Sequence, residues 1–93
     1  MPSNLDNFAT DTARRCTWAV HHNNGQPDGG WSMREQLAVA LVLRNRMHLV
    51  LMGYTVDGAI RVLRDGMWNP PAASEFTAWL ERIRAAIGYE VMP

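Results

Sequence analysis

Apolar positions recur at helical spacing in four stretches of the chain. Leu5, Phe8, Ala9, Thr12, Cys16 and Ala19 fall at i, i+3, i+4, i+7, i+11 and i+14, one face of a helix over residues 3–20. Ser3 and Asp6 form a capping pair at its start. The pattern stops at residues 21–31, HHNNGQPDGGW, where Gly, Pro, Asn and Asp predict a turn-rich loop. Ser32 with Glu35 three residues on is a capping box, and it opens a second helix. The spacing predicts that this helix runs over residues 32–52, with Gly53 as its stop. Residues 37–43 are apolar without a break, so the helix is covered on every side there and is central.

Thr55 predicts the cap of a third helix over residues 56–65, with Val56, Ala59, Ile60 and Leu63 inward and Gly66 at its end. Pro70 and Pro71 make the next segment a rigid connector. Ser74 predicts the cap of a fourth helix over residues 75–87, with Phe76, Trp79, Leu80, Ile83 and Ile87 inward and Gly88 as its stop. No segment alternates as a strand does. The expectation is an all-α domain, four helices compact around a long central one.

Composition narrows this picture. Ninety-three residues form one domain, residues 1–93, and 47% apolar with 19% charged residues reads as globular. Nine basic residues balance nine acidic ones, so no electrostatic hold on nucleic acid is expected. The same balance argues against reading residues 53–64 as a DNA-recognition helix. All the basic residues are Arg, the side chain suited to planar, bidentate pairing; codon bias also accounts for it. Arg44, Arg46 and His48 interrupt the longest apolar region, so no membrane span is expected. The first residues lack a basic, apolar leader pattern, and a cytoplasmic location is expected. Cys16 is the one cysteine and allows no disulfide within the chain.

A family pattern emerges around the central helix. Gln36, Ala38, Val39, Ala40, Asn45 and Arg46 stand in the order and spacing of a Gln-x-Ala-Val-Ala … Asn-Arg motif, and residues 53–68 continue it. Over residues 13–68 the chain resembles the SleB-like cell-wall hydrolases, related to spore-cortex lytic enzymes. The resemblance implies a lysozyme-like helical outline and cleavage of peptidoglycan glycan strands. That chemistry needs a carboxylic acid with a raised pKa to protonate the glycosidic oxygen. With Gly25 and Pro27 laid on the family's Gly-Glu-Pro, the acid's position holds His22 and the second acidic position holds Gln26. Asp28 and Glu35 are the carboxylates that could stand in, although Glu35 already has a capping role.

Other candidates have two readings each. Arg44, Asn45 and Arg46 either line a cleft, or serve structure, with Asn45 fixing the 21–31 loop and the Arg side chains reaching solvent or carboxylates. Trp18 and Trp79 fall on inner faces. Trp31 and Trp68 lie in loops, where they either stack on sugars or anchor a protein partner, or else cap the ends of the core. Cys16, His21, His22 and His48 match no common zinc spacing, so no metal and no cofactor are expected. The reading that follows is a non-catalytic protein-binding module on a degenerate hydrolase-like scaffold, of a size suited to a phage-encoded modulator of a host defence complex. The alternative is a working peptidoglycan glycosidase, a phage lytic enzyme, with a relocated acid.

Overall fold

The computed structural model describes residues 4–67 and 69–88. Among them are five helices and no strand: α1 (Asn4–His22), α2 (Met33–Val42), α3 (Arg46–Met52), α4 (Val56–Asp65) and α5 (Ala73–Ala86). The all-α class expected from the pattern is what forms. The radius of gyration, 12.3 Å, is the value expected for a folded domain of this length, about 12 Å.

α2 is the centre. It packs against each of the other four helices, and Leu37, Ala38, Val39, Ala40, Leu41 and Val42 are all buried. Burying one Val or Leu side chain contributes about 1.5–3 kcal/mol. This ten-residue helix therefore supplies a large share of the core's stability. Phe76, Trp79, Leu80 and Ile83 of α5, Ala59 and Leu63 of α4, and Thr12, Cys16 and Ala19 of α1 close around it. The Ser32–Glu35 capping box is present at its start.

The expected helix over 32–52 is two helices. The chain turns at residues 43–45. Arg44 adopts the left-handed conformation at φ 56°, Arg44 N–H donates to Leu41 O at 3.3 Å, and Asn45 N–H donates to Ala40 O at 2.8 Å. This pair of bonds closes a helix end in the way a C-terminal glycine usually does. Asn45 then starts α3 at once, its Oδ1 accepting from His48 N–H at 3.0 Å. An isolated pattern of apolar residues could not show the break, because the position that needs φ > 0 is occupied by Arg rather than Gly.

The broken end is held from outside by α5. Arg84, 8% exposed, donates from Nε to Val42 O at 2.6 Å and from Nη2 to Leu41 O at 3.1 Å. Its Nη1 pairs with Glu81, which also pairs with Arg44 at 3.0 Å. A similar device closes α4: Arg34 donates to Val62 O at 3.4 Å and Leu63 O at 3.0 Å. The guanidinium of Arg34 lies so close to Gly66 that a Cβ there would collide with it.

Smaller departures have local causes. α1 runs through His22, past the expected end. α5 starts at Ala73 with Ala72 at the cap and no side-chain cap bond, so Ser74 is not the cap. Trp18 is 37% exposed rather than core, and Val56 is exposed at the start of α4 rather than inward. Thr55 does cap α4, accepting from Gly58 N–H, and Gly53, φ 86°, does stop α3. Ser3 and Trp68 lie outside the described residues, and so do the side chains of Leu5 and Asp6.

Two stability outcomes follow. Arg84→Met leaves the Leu41 and Val42 carbonyls without their buried donor, and chemical denaturation should show a loss of about 2–4 kcal/mol. Arg44→Gly removes a left-handed non-glycine residue at a cost of one exposed ion pair. Its unfolding free energy should therefore hold or rise, by up to about 1 kcal/mol.

Candidate functional site

The loop between α1 and α2, residues 23–32, is fastened by two polar side chains, Asn45 and Gln36. Asn45 Nδ2 donates to Gly25 O at 3.2 Å. Gln36 Nε2 donates to Trp31 O at 2.9 Å and to Gly29 O at 3.4 Å. With its amide nitrogen so engaged, Gln36 presents Oε1 to His48 Nε2, 2.9 Å away, and that ring nitrogen carries the hydrogen. The loop, α2 and α3 are thus tied into one polar seam. Asn45 serves both the α3 cap and the loop.

His22, at the position where the family resemblance places an acid, is exposed on the last turn of α1. Its ring centroid is 6.1 Å from that of Trp18, and Trp18 in turn lies 5.3 Å from Trp31. Trp31 is therefore half-buried against Trp18. Neither candidate carboxylate sits in an apolar cleft. Asp28 Oδ1 accepts from Gly30 N–H at 2.8 Å, a local turn contact. Glu35 accepts from Ser32 N–H at 3.0 Å and pairs with Arg15 at 2.6 Å. The Ser32 N–H, with Arg15 beside it, holds the Glu35 carboxyl below its usual range. A glycosidic acid needs the opposite shift.

Arg44 and Arg46 face elsewhere. Together with Arg84 and Glu81 they rim a cavity of about 230 Å³ between the end of α2, α3, α4 and α5. Its floor is apolar: Ala40, Leu41, Leu49, Ile60 and Leu80. A shallower hollow adjoins it, sharing Arg46, Leu49 and Val56 and adding Val50 and Tyr54. Of the residues singled out in the sequence, Asn45 thus goes to the loop that carries Trp31, and its two Arg neighbours go to the cavity, which Trp31 does not line.

The cavity's α5 residues, Glu81 and Arg84, were missed by pattern reading. A signal existed: Arg84 lies four residues after Leu80 and next to Ile83, a charge on an apolar face. Also missed was the outer side of α3. Met47, Val50 and Leu51 share one helical face and are 75%, 72% and 80% exposed. Cys16 is fully buried, and burial pushes its thiol pKa up to about 12, so it is no nucleophile. Among the described residues no three His, Cys, Asp or Glu side chains gather as a metal site would require. No helix among them is long and apolar enough to cross a membrane.

No protein-family model, no curated protein and no solved structure matches the chain. The likeness to the SleB-like hydrolases thus rests on the motif residues themselves, Gln36, Ala38, Val39, Ala40, Asn45 and Arg46.

The polar seam has a pH signature. Burial lowers the His48 pKa below its ordinary 6.5, so the unfolded chain takes up that proton at a higher pH than the folded one. Stability present above 6.5 is therefore lost as pH falls through the window beneath it. Glu35 and Glu81, both held below 4.5 by their partners, add a second loss below that value. Thermal midpoints measured from about pH 8 to pH 3 should decline in two stages, and His48→Gln should remove only the upper one.

Proposed function

We propose that the chain is a non-catalytic protein-binding module on a scaffold patterned like the cell-wall hydrolases, and that α3 is its contact surface. The observation that carries this reading is the outward apolar face of α3, Met47, Val50 and Leu51. In an ordinary surface helix the apolar stripe turns to the core. Here the inward side holds Leu49, with the Asn45 cap at one end and Gly53 at the other. His48, bonded to Gln36, ties the helix to α2. Polar bonds thus fix α3 in an orientation that leaves its stripe uncovered. Each of the three is more than two-thirds exposed, and neighbouring exposed apolar side chains of this kind mark interaction sites on small proteins.

The carboxylates support the same reading. Asp11, Asp57, Asp65, Glu75 and Glu81 are exposed, and the half-buried Asp28 and Glu35 both accept from backbone N–H groups. Modulation of a host complex by a phage-encoded protein is a role that a module of this kind would fill.

Replacing the stripe tests the reading. The immobilised wild-type chain should retain a stoichiometric protein from a lysate of its source cells. Val50→Asp/Leu51→Asp should lose it while its thermal midpoint holds, and Arg14→Glu, on the exposed side of α1, should keep it. Equal capture by the double variant overturns the reading, as does clearing of peptidoglycan in a zymogram.

A further inference from the structure

The cavity beside α3 says what kind of segment the module takes. We infer that it seats one large apolar side chain of an acidic, amphipathic protein segment, whose carboxylates pair with Arg44 and Arg46. The inference rests on the binding-module reading and adds the chemistry of the partner.

Size comes first. A space of about 230 Å³ is below the range of about 300–1,000 Å³ typical of small-ligand pockets. It exceeds the roughly 150 Å³ that takes up one benzene ring in an apolar protein cavity. One Leu, Met or Phe side chain is the matching guest. Ala40, Leu41, Leu49, Ile60 and Leu80 make most of the cavity's lining apolar, with Thr77 adding one hydroxyl.

Charge comes second. Three guanidinium groups, Arg44, Arg46 and Arg84, line the cavity against the one carboxylate of Glu81. Arg84 is committed to Leu41 O and Val42 O, and its Nη1 has Glu81 as an ion-pair partner without a directed hydrogen bond. Arg44 shares Glu81 and keeps about half of its side chain exposed, 51%. Arg46 is exposed, and among the described residues Glu81 of the same wall pairs with Arg44 and Arg84 rather than with it. The rim thus presents fixed positive charge around an apolar hole. Guanidinium groups bind carboxylates in a planar, two-pronged manner, so a segment placing Glu or Asp beside its anchor satisfies both parts.

Continuity comes third. Arg46, Leu49 and Val56 belong both to this cavity and to the hollow that reaches Val50 and Tyr54. A segment anchored in the cavity therefore runs onto the exposed stripe of α3. Apolar residues at i, i+3 and i+4 of a docked helix would cover the stripe while its first anchor fills the hole.

The test uses synthetic probes on the full chain. One is a fluorescein-labelled 14-residue helical peptide with Leu at i, i+3 and i+4 positions, a central Phe, and Glu elsewhere. A second has Lys in place of every Glu, and a third has Ser in place of the apolar residues. Only the Glu/Leu peptide should raise fluorescence anisotropy, with weaker binding as salt rises. Amide shifts should centre on Leu49, Ile60 and Leu80. Arg46→Glu should weaken that binding at least tenfold and let the Lys peptide bind. Arg46 is the first residue of α3, where a carboxylate is favoured, so the reversal leaves the fold intact. Arg14→Glu should change nothing. Equal binding of the Glu and Lys peptides, indifference to Arg46→Glu, or shifts confined to α1 overturn the inference. So does a dimer of this chain that buries α3. If lysate capture depends on Val50 and Leu51 but the Glu peptide fails to bind, the acidic-segment inference falls and the binding-module reading stands. If capture ignores the α3 stripe, the binding-module reading falls with it.

Discussion

A helix that ends inside a protein leaves carbonyls with no water to receive them, and the rest of this fold depends on how one such end is met. α2 stops among α3, α4 and α5 rather than at the surface. Its last carbonyls carry the negative end of the helix dipole. Arg84 reaches them from α5 with two directed bonds and a permanent charge. That contact sets the distance between α5 and the centre, keeps the 43–45 turn in place, and so fixes the direction in which α3 leaves. Arg34 does the corresponding work at the end of α4. A Lys in either place would deliver a single point charge where two carbonyls wait. The exclusive use of Arg, attributable to codon bias or interfaces when only composition is in view, has a structural use at these two sites.

The helical class, the capping box at Ser32, the cap at Thr55 and the buried faces of α2 and α5 were legible because each is encoded locally. Spacing and cap residues lie within a few positions of one another. The break in the central helix was not legible, because its causes are spread over distance. It needs Arg44 in a left-handed conformation that sequence rules assign to glycine, and a donor from Arg84, forty-two residues away from Val42. The cavity was illegible for the same reason. Its rim joins Arg44 of the turn and Arg46 at the start of α3 to Glu81 and Arg84 of α5, and only the fold brings them together. Asn45 was partly readable: its loop-fixing role was one of the two readings open to it, and the bond to Gly25 has that form.

Splitting one long helix into two changes what the surface can do. A continuous helix over residues 32–52 would have carried Met47, Val50 and Leu51 onward with the core run. The turn at residues 43–45 redirects them, and the Gln36–His48 bond and the Asn45 cap hold them there. The apolar face of α3 is therefore a product of polar contacts. The cavity opens beside the same turn, so the arginine rim and the apolar stripe share one structural origin.

Gly66 shows how the Arg34 cap constrains the chain. Its φ of −85° is one that any residue adopts, so backbone freedom is not why a glycine stands there. The space of its absent side chain is filled by the guanidinium of Arg34. A methyl group at this position would strike no rigid wall; it would evict a tenant. The charge would leave the end of α4, and the start of α2 would lose its hook on that helix. Substitutions at positions 34 and 66 are thus coupled: a larger residue at 66 becomes tolerable only once 34 no longer reaches across, and the two sites are expected to change together or not at all.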